Sequence, residues 1–325
     1  MLSITSAIEK KDNAATPRTN ITNLWLLQCE TRINDDFLTW KFSAEHVQKR
    51  ASNDVSLNVR IASICENSTF LPAKGYAMKI EAVTEFVRNL VNQSETSTTD
   101  HEEEDIVILT DSDTIFNAWA VTAKKAVERF HHARQGRGIL ISAEPTCWNG
   151  SFCNQWALFE LYGNVTASYC PQFVCAGQYM GFAKDLLNMF ESEEMTLWKR
   201  KFKVDDQNML SSWYANNRVN ATLDSNSAVF RNLNTGSIDI RVPHTVNTTP
   251  GIYTCGPGER IRNCGVYNTP YTGVVNETNL QIEMALIPNC TGTSQSPFSI
   301  HGSGPAKRMF GRLSRPMKEL AVGNH

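Results

Sequence analysis

The chain has 325 residues, a formal net charge of -2 and an ordinary globular composition, with 41% hydrophobic and 20% charged residues. Its length suits one large α/β domain or two small ones. The balanced charge offers no basic face for DNA or RNA, and no 18-residue apolar run predicts a membrane span. Residues 1–22 have neither a basic leader nor an apolar core, so we predict a peripheral N-terminal segment and no signal peptide.

Predicted strands and helices alternate in the N-terminal part of the chain. Apolar residues predict strands over 23–28 and 55–63, and apolar residues at helical spacing predict helices over 35–49 and 78–91. The segment 92–105 is polar and then acidic, which indicates a solvated loop.

The apolar run over 106–109 predicts a buried strand that leads into Thr110, Asp111, Ser112 and Asp113. In open α/β sheets, ligands bind at the carboxyl ends of the strands. Two carboxylates at that edge suit Mg²⁺ or Mn²⁺ carrying a phosphorylated substrate. The alternative is a turn in which Asp113 caps a helix that begins near residue 117.

The C-terminal part continues the alternation before its composition changes. Helices are predicted over 118–134, 182–190, 194–202 and 205–214, and strands over 138–143, 173–177 and, as a pair, within 219–230. Residues 236–297 are rich in Thr, Asn, Pro and Gly and predict a loop-rich insertion, and residues 314–325 are predicted to be a tail.

The alternating pattern predicts one α/β domain over residues 23–313, with a mostly parallel, twisted sheet flanked by helices. Neither a GxGxxG nor a GxxxxGK[ST] motif occurs, so we predict neither a Rossmann dinucleotide site nor a P-loop.

Three features need a joint explanation: the Asp111/Asp113 pair, the Asp205–Asp206 pair, and His301 before a glycine-rich segment. We interpret Asp111, Asp113 and His301 as ligands of one divalent cation that neutralises a diphosphate leaving group. A carboxylate of the second pair would then address the transferred group. The alternative for Asp205 and Asp206 is a structural one, because acidic residues are favourable in the first turn of a helix.

Five segments, in their order along the chain, resemble the glycosyltransferase domain of the procollagen lysyl hydroxylase/glycosyltransferase family, which has a GT-A fold. They are Ile108–Asp113, Ile141–Glu144 with Cys147–Trp148, Val204–Gln207, Leu223–Asn234 and His301–Lys307. The resemblance covers about residues 23–313, and the five ordered segments are jointly specific.

The resemblance implies a metal-dependent transferase that moves a hexose, glucose or galactose, from a UDP-sugar to a hydroxyl of a protein or glycan acceptor. Asp111, Asp113 and His301 would bind Mn²⁺ or Mg²⁺. Asp205 and Asp206 would orient the sugar or stabilise its oxocarbenium-like centre. The residues implied in nucleotide-sugar binding are Lys79, Thr110, Asp111, Ser112, Gly302, Gly304 and Lys307.

The chain departs from the family pattern at three places. The family commonly spaces its first acidic pair as Asp-x-x-Asp, whereas this chain has Asp111-Ser112-Asp113. Where the family has Asn-Ser-Gly-Gly, this chain has Cys175-Ala176-Gly177-Gln178. The insertion at 236–297 is longer than the family pattern predicts. The sugar and the acceptor are therefore left open. Trp148 is a candidate acceptor platform, and a core tryptophan is the alternative.

Two other functional classes also fit parts of the sequence. Residues 111–114 match the Asp-x-Asp-x-Thr pattern of haloacid dehalogenase-type phosphatases, in which Asp111 would be the nucleophile and Asp113 the general acid. That class leaves the segment after His301 unexplained. The second alternative is a GT-A-fold module that binds a glycan or nucleotide-sugar without turnover.

Cysteines and glycosylation sequons together predict the secretory pathway or an extracellular location. Nine cysteines occur, at positions 29, 65, 147, 153, 170, 175, 255, 264 and 290. Nine Asn-x-Ser/Thr sequons occur, at positions 20, 67, 92, 149, 164, 220, 247, 276 and 289, where chance would give roughly four. The candidate local disulfides are Cys147–Cys153, Cys170–Cys175 and Cys255–Cys264. The alternative is a set of buried free thiols.

Overall fold

The computed structural model describes residues 22–66, 68–69, 75–96, 104–118, 120–144, 173–201, 204–232, 239–242, 251–254, 265–266, 283–285 and 297–302. The strands are β1 Thr22–Gln28, β2 Leu57–Ser63, β3 Glu104–Thr110, β4 Thr114–Phe116, β5 Ile139–Glu144, β6 Phe173–Phe182, β7 Ala221–Asp224, β8 Phe230–Asn232, β9 Asp239–Val242, β10 Gly251–Thr254, β11 Gly265–Val266, β12 Glu283–Ala285 and β13 Ser299–His301. The helices are α1 Asp35–Ala51, α2 Ala77–Thr96, α3 Ala123–Ala133, α4 Ala183–Glu191, α5 Glu193–Lys199 and α6 Asp206–Asn216.

The principal sheet has six strands in the order β2–β1–β3–β6–β5–β7. β6 is antiparallel to both of its neighbours, and the other five strands run in one direction. This architecture confirms the predicted fold class, a mostly parallel α/β sheet flanked by helices. The predicted loop-rich insertion at 236–297 contains short strands: β9, β10, β11 and β12 form a separate four-stranded antiparallel sheet.

Helices cover both faces of the principal sheet. One core cluster joins the sheet to α2, α4 and α6, and includes Ile80, Val107 and Leu186. The other lies beneath α1 and α3, and includes Trp40 and Phe130. Strands of parallel sheets read as continuous apolar runs because both faces are buried, which is why the 106–109 run was informative.

A second, small sheet places β13 between β4 and β8, antiparallel to the first and parallel to the second. The residues after Asp113 therefore form a strand, and α3 begins only at Ala123, where the Thr122 side chain accepts a hydrogen bond from the amide of Lys125. The predicted helix start at 118 and the alternative of Asp113 as its cap are both wrong. Long-range pairing with β13, nearly 190 residues away, decides this segment, and local sequence does not report such pairing.

The turn after β7 is built on the buried carboxylate of Asp224. Its two oxygens accept hydrogen bonds from the backbone amides of Ala228 at 2.8 Å, Val229 at 2.9 Å and Phe230 at 2.8 Å. Burial raises the pKa of Asp224, and these three donors act against that rise. The carboxylate thus fixes the start of β8, which pairs with β13.

We expect Asp224→Ala to destabilise the domain by about 3 kcal/mol, because three buried amides would each lose an acceptor at about 1 kcal/mol or more. Asp224→Asn keeps one oxygen acceptor and should give an intermediate loss. Urea unfolding monitored by tryptophan fluorescence measures both changes. Equal stability of the Ala variant and the wild type would show that the amides find other partners.

Cys29 and Cys65 form a disulfide between the segments that follow β1 and β2. The sequence did not predict this pairing. The candidate Cys170–Cys175 bridge is wrong, because Cys175 is a buried free thiol. The other candidate bridges lie outside the described residues, as do residues 1–21 and 303–325, so the predicted N-terminal segment and tail stay predictions. Across the described residues, no helix combines the length and apolar character needed to cross a membrane.

Candidate metal and nucleotide-sugar site

The register of the principal sheet brings its carboxyl ends together. Gln28 of β1 lies beside Ser63 of β2 on one side and beside Thr110 of β3 on the other. The segments that follow these strands therefore meet at one edge, where an α/β sheet binds ligands. A cavity of about 740 Å³ opens there, within the size range of ligand pockets. Residues that line it include Cys29, Glu30, Tyr76, Lys79, Asp111 and Asp113.

Asp111, Asp113 and His301 converge at this edge. Each offers one ligand atom, and these atoms all lie within 4.8 Å of one another. Nε2 of His301 is 3.0 Å from Oδ1 of Asp113 and 3.8 Å from Oδ2 of Asp111. The pairing of β13 with β4 sets His301 opposite Thr114, directly after Asp113. The backbone amide of Gly302 also donates to the carbonyl of Asp113 at 2.9 Å.

Burial alone would lower the pKa of His301, but the adjacent Asp113 carboxylate outweighs burial and raises this pKa well above its ordinary value. Without a cation, the imidazole therefore carries a proton that balances part of the carboxylate charge. Two carboxylates and one imidazole form the donor set that Mn²⁺ and related divalent ions accept. Asp113 and His301 are buried, whereas 35% of the Asp111 side chain is exposed.

Lys79 joins the first acidic pair to the second. Its Nζ is 2.5 Å from Oδ1 of Asp111 and 3.0 Å from Oδ2 of Asp206, and its side chain is only 8% exposed. Burial acts to lower the pKa of Lys79, but the two carboxylates outweigh it and raise the pKa well above its ordinary value. With His301 neutral, the carboxylates of Asp111, Asp113 and Asp206 and this ammonium leave two negative charges. That balance suits a divalent cation.

Comparison with known proteins shows the family of the chain. The family model of the PLOD GT domain matches residues 74–251, which is more than half of the chain. The chain belongs to this glycosyltransferase family. A relative is the multifunctional procollagen lysine hydroxylase and glycosyltransferase of Caenorhabditis elegans, 22% identical over 239 residues, which are 72% of this chain and 24% of that protein. The chain thus spans about a quarter of that relative's length.

A solved structure was also compared with the chain. Mouse xyloside xylosyltransferase 1 in its apo form aligns with a TM-score of 0.35 and 10% sequence identity. The alignment covers 65% of this chain and 88% of that one. The predicted resemblance to the procollagen glycosyltransferase family is confirmed by the family match. His301 lies beyond the matched residues, so its place in the site comes from the structure.

In this PLOD-type domain, the three residues of the segment Asp205-Asp206-Gln207 make different contacts. Asp205 caps α6, accepting hydrogen bonds from the amide of Gln207 at 3.0 Å and from the side chain of Asn208 at 2.9 Å. The carboxylate of Asp206 accepts a hydrogen bond from Nζ of Lys79 at 3.0 Å. Gln207 contacts the β6 backbone, accepting from the amide of Ala176 at 2.8 Å and donating to the carbonyl of Val174. Asp205 is thus the N-cap of α6, whereas Asp206 lies in the first turn of that helix and pairs with Lys79, which lines the cavity.

The remaining residues that were predicted to bind the donor or the acceptor differ in where they lie. Ser112 lines the cavity and donates to Oε2 of Glu30 at 2.9 Å. Thr110 is buried, and its hydroxyl accepts from Nε1 of Trp40 at 2.7 Å. The binding roles of both residues stay predictions. Gly304, Lys307 and Trp148 lie outside the described residues.

Sequence reasoning missed one wall of the cavity. Glu30 and the Cys29–Cys65 disulfide both lie there. The carboxylate of Glu30 also accepts from the amides of Thr31 at 3.0 Å and Arg32 at 3.2 Å. The available signal was the position of Cys29 and Glu30 directly after a strand that neighbours β3, at the edge already expected to bind ligands.

Gly177 of β6 lies directly against the imidazole ring of His301. A Cβ at this glycine would lie 2.1 Å from Cε1 of His301, far inside contact distance. We expect Gly177→Ala to displace the imidazole and to weaken Mn²⁺ binding by on the order of 10-fold or more. Gly181→Ala on the same strand is the control, because its Cβ would meet atoms only at 3.0 Å and beyond. Electron paramagnetic resonance of free Mn²⁺ measures the affinities, and equal binding by both variants would contradict this account.

Proposed function

We propose that this chain is a divalent-metal-dependent glycosyltransferase that takes a hexose, glucose or galactose, from a UDP-sugar to a hydroxyl of a protein or glycan acceptor. The observation that carries the proposal is the convergence of Asp111, Asp113 and His301, of which the two aspartates also line the cavity. The family membership supplies the reaction class. It also favours transfer over the phosphatase alternative.

The residues of the site fit a divalent cation, preferably Mn²⁺. Its ligands would be the carboxylates of Asp111 and Asp113 and Nε2 of His301, and the ion would supply positive charge to the departing diphosphate. The nearby ammonium of Lys79 adds fixed positive charge from a buried position, where it needs no reorganisation during the reaction. Lys307 and the backbone of Gly302 and Gly304 are proposed to complete the diphosphate contacts.

The nucleotide is proposed to occupy the cavity between β1, β2 and α2. Tyr76 places an aromatic face there, 5.8 Å from Nζ of Lys79, and Ser112 and Glu30 offer hydrogen-bonding groups. On the other side of Lys79, the Asp206 carboxylate is proposed to hold the sugar hydroxyls or to stabilise positive charge at the anomeric carbon. Asp205 is proposed to assist from the helix N-terminus, where its hydrogen bonds fix the position of Asp206.

We propose a secretory-pathway or extracellular location for this domain. The Cys29–Cys65 disulfide supports it, because disulfides persist in oxidising compartments. The nine sequons point the same way. The proposed partners are the UDP-sugar donor and a protein or glycan acceptor.

The deciding experiment is UDP release from a panel of UDP-sugars, with hydroxylysine peptides and simple glycans as acceptors, in Mn²⁺ and in EDTA. Release from one donor that EDTA abolishes would support the proposal and identify the sugar. Mn²⁺-dependent UDP binding without release from any donor and acceptor would instead favour the binding module without turnover. Release of phosphate from phosphomonoesters would favour the phosphatase.

A further inference from the structure

A buried polar group lies behind His301, on the side away from the proposed cation. Nδ1 of His301 is 3.6 Å from Sγ of Cys175, and Nδ2 of Asn232 is 2.8 Å from the same sulfur. The Asn232 amide also reaches Oε2 of Glu144 at 3.5 Å. All four side chains are buried. Burying polar groups costs free energy unless they form hydrogen bonds, so the contacts among these side chains need an explanation.

The position of Cys175 excludes it as a ligand of the same cation. The imidazole presents Nε2 to Asp113 and Nδ1 to the sulfur, so the thiol lies behind the ring. The amide of Asn232 lies against the same sulfur from another side, at 2.8 Å. A thiol sulfur is a weak acceptor. When Nε2 of His301 binds a cation, the remaining ring N–H is at Nδ1, which is the nitrogen that faces this sulfur.

The ring is also restrained from its face. Gly177 lies two residues after Cys175 on β6, so close that only the absence of a Cβ admits the imidazole. The strand pairing of β13 with β8 sets His301 beside Asn232. The ring thus has backbone against one face, a carboxylate at one nitrogen and a sulfur at the other.

We propose that Cys175 is a positioning residue for His301: its sulfur accepts the Nδ1 hydrogen and directs Nε2 at the cation site, while Asn232 and Glu144 hold the thiol in place. This inference rests on the proposed function, because it assigns the sulfur the role of an outer partner to a metal ligand. Such partners fix the orientation of a ligating histidine and raise its basicity.

The test separates hydrogen bonding from packing at position 175. Cys175→Ser keeps an acceptor of similar size, Cys175→Val fills the space without an acceptor, and Cys175→Ala removes both. We expect Cys175→Ser to bind Mn²⁺ within about threefold of the wild type, and the Val and Ala variants to bind about 10–100-fold more weakly. A pure packing role predicts the opposite order, with Val near the wild type and Ser impaired, and that order would overturn the proposal.

The matched control is Val174→Ala, on the neighbouring position of β6, whose side chain belongs to the core cluster on the α2 face. It should lower stability in urea without changing Mn²⁺ affinity. Urea unfolding of all variants without metal shows whether each one folds. An affinity loss in Val174→Ala equal to that in Cys175→Val would assign the effect to general loosening and overturn the proposal.

A readout without metal distinguishes failure of this inference from failure of the proposed function. The Nδ1 proton of His301 should give a protected downfield proton resonance, assigned by its absence in His301→Gln. We expect Cys175→Ser to retain this resonance and Cys175→Val to lose or shift it. A dependence on Cys175 in a protein that binds no Mn²⁺ would support the positioning and reject the metal site, whereas an unchanged resonance in Cys175→Val would reject the positioning alone.

Discussion

His301→Ala and Asp113→Asn are each expected to lower Mn²⁺-dependent kcat/KM by about 10³-fold, equivalent to about 4 kcal/mol of barrier. Both side chains are buried, with Nε2 of His301 3.0 Å from Oδ1 of Asp113, and each provides one of the three converging ligand atoms. Their loss would remove the cation and with it the charge that stabilises the leaving diphosphate. Initial rates of UDP release, measured across Mn²⁺ concentrations, give the effect.

Glu128→Gln is a suitable control for this pair of variants. It removes an exposed carboxylate on α3 whose partner is Lys125, on the same helix. This variant should keep wild-type turnover and wild-type Mn²⁺ dependence. Wild-type kinetics in either His301→Ala or Asp113→Asn, with the fold confirmed by circular dichroism, would remove these residues from the metal site.

Asp206→Asn is expected to lower kcat by about 10²–10³-fold while Mn²⁺ affinity changes little, because the loss falls on stabilisation of the sugar in the transition state. The Asp206 carboxylate is held by Lys79 and lies outside the proposed ligand set. Single-turnover kinetics with saturating Mn²⁺ and donor separate this loss from weaker binding.

Asp205→Asn is the comparison variant, which tests whether Asp206 acts on the sugar while Asp205 mainly caps α6. Asparagine is also a good helix N-cap, so this variant should fold and should lose less activity than Asp206→Asn. A larger loss in Asp205→Asn than in Asp206→Asn would reverse the proposed roles. The two residues would then need a different arrangement around the donor.

Much of the fold could be predicted because its strands are buried on both faces and its helices have one apolar side. The run over 106–109 and the spacing along α2 gave the right element types for this reason. The segment after Asp113 was predicted wrongly because β4 exists only through its pairing with β13. β6 was predicted at half its length, since its later residues owe their strand conformation to β3 and β5 on either side.

The candidate site was also predicted only in part. Asp111 and Asp113 were found because they directly follow a recognisable strand, and His301 joined them as a candidate through a motif nearly 190 residues later. What the sequence did not give is the separation of Asp205 from Asp206, the contact of Cys175 with His301, and Glu30 in the cavity wall. Each of these depends on which way a side chain points at a strand end or a helix start, and that direction is set by tertiary packing.

The measurement that tests the central claim most directly is a calorimetric titration of the wild-type protein with UDP, in Mn²⁺ and in EDTA. The account predicts saturable UDP binding in Mn²⁺ that weakens by at least about 10-fold in EDTA, since removal of the cation leaves the diphosphate facing the carboxylates of Asp111 and Asp113. The same comparison with Asp113→Asn should show weak binding under both conditions. Equal UDP affinity with and without Mn²⁺ would contradict a cation held by Asp111, Asp113 and His301.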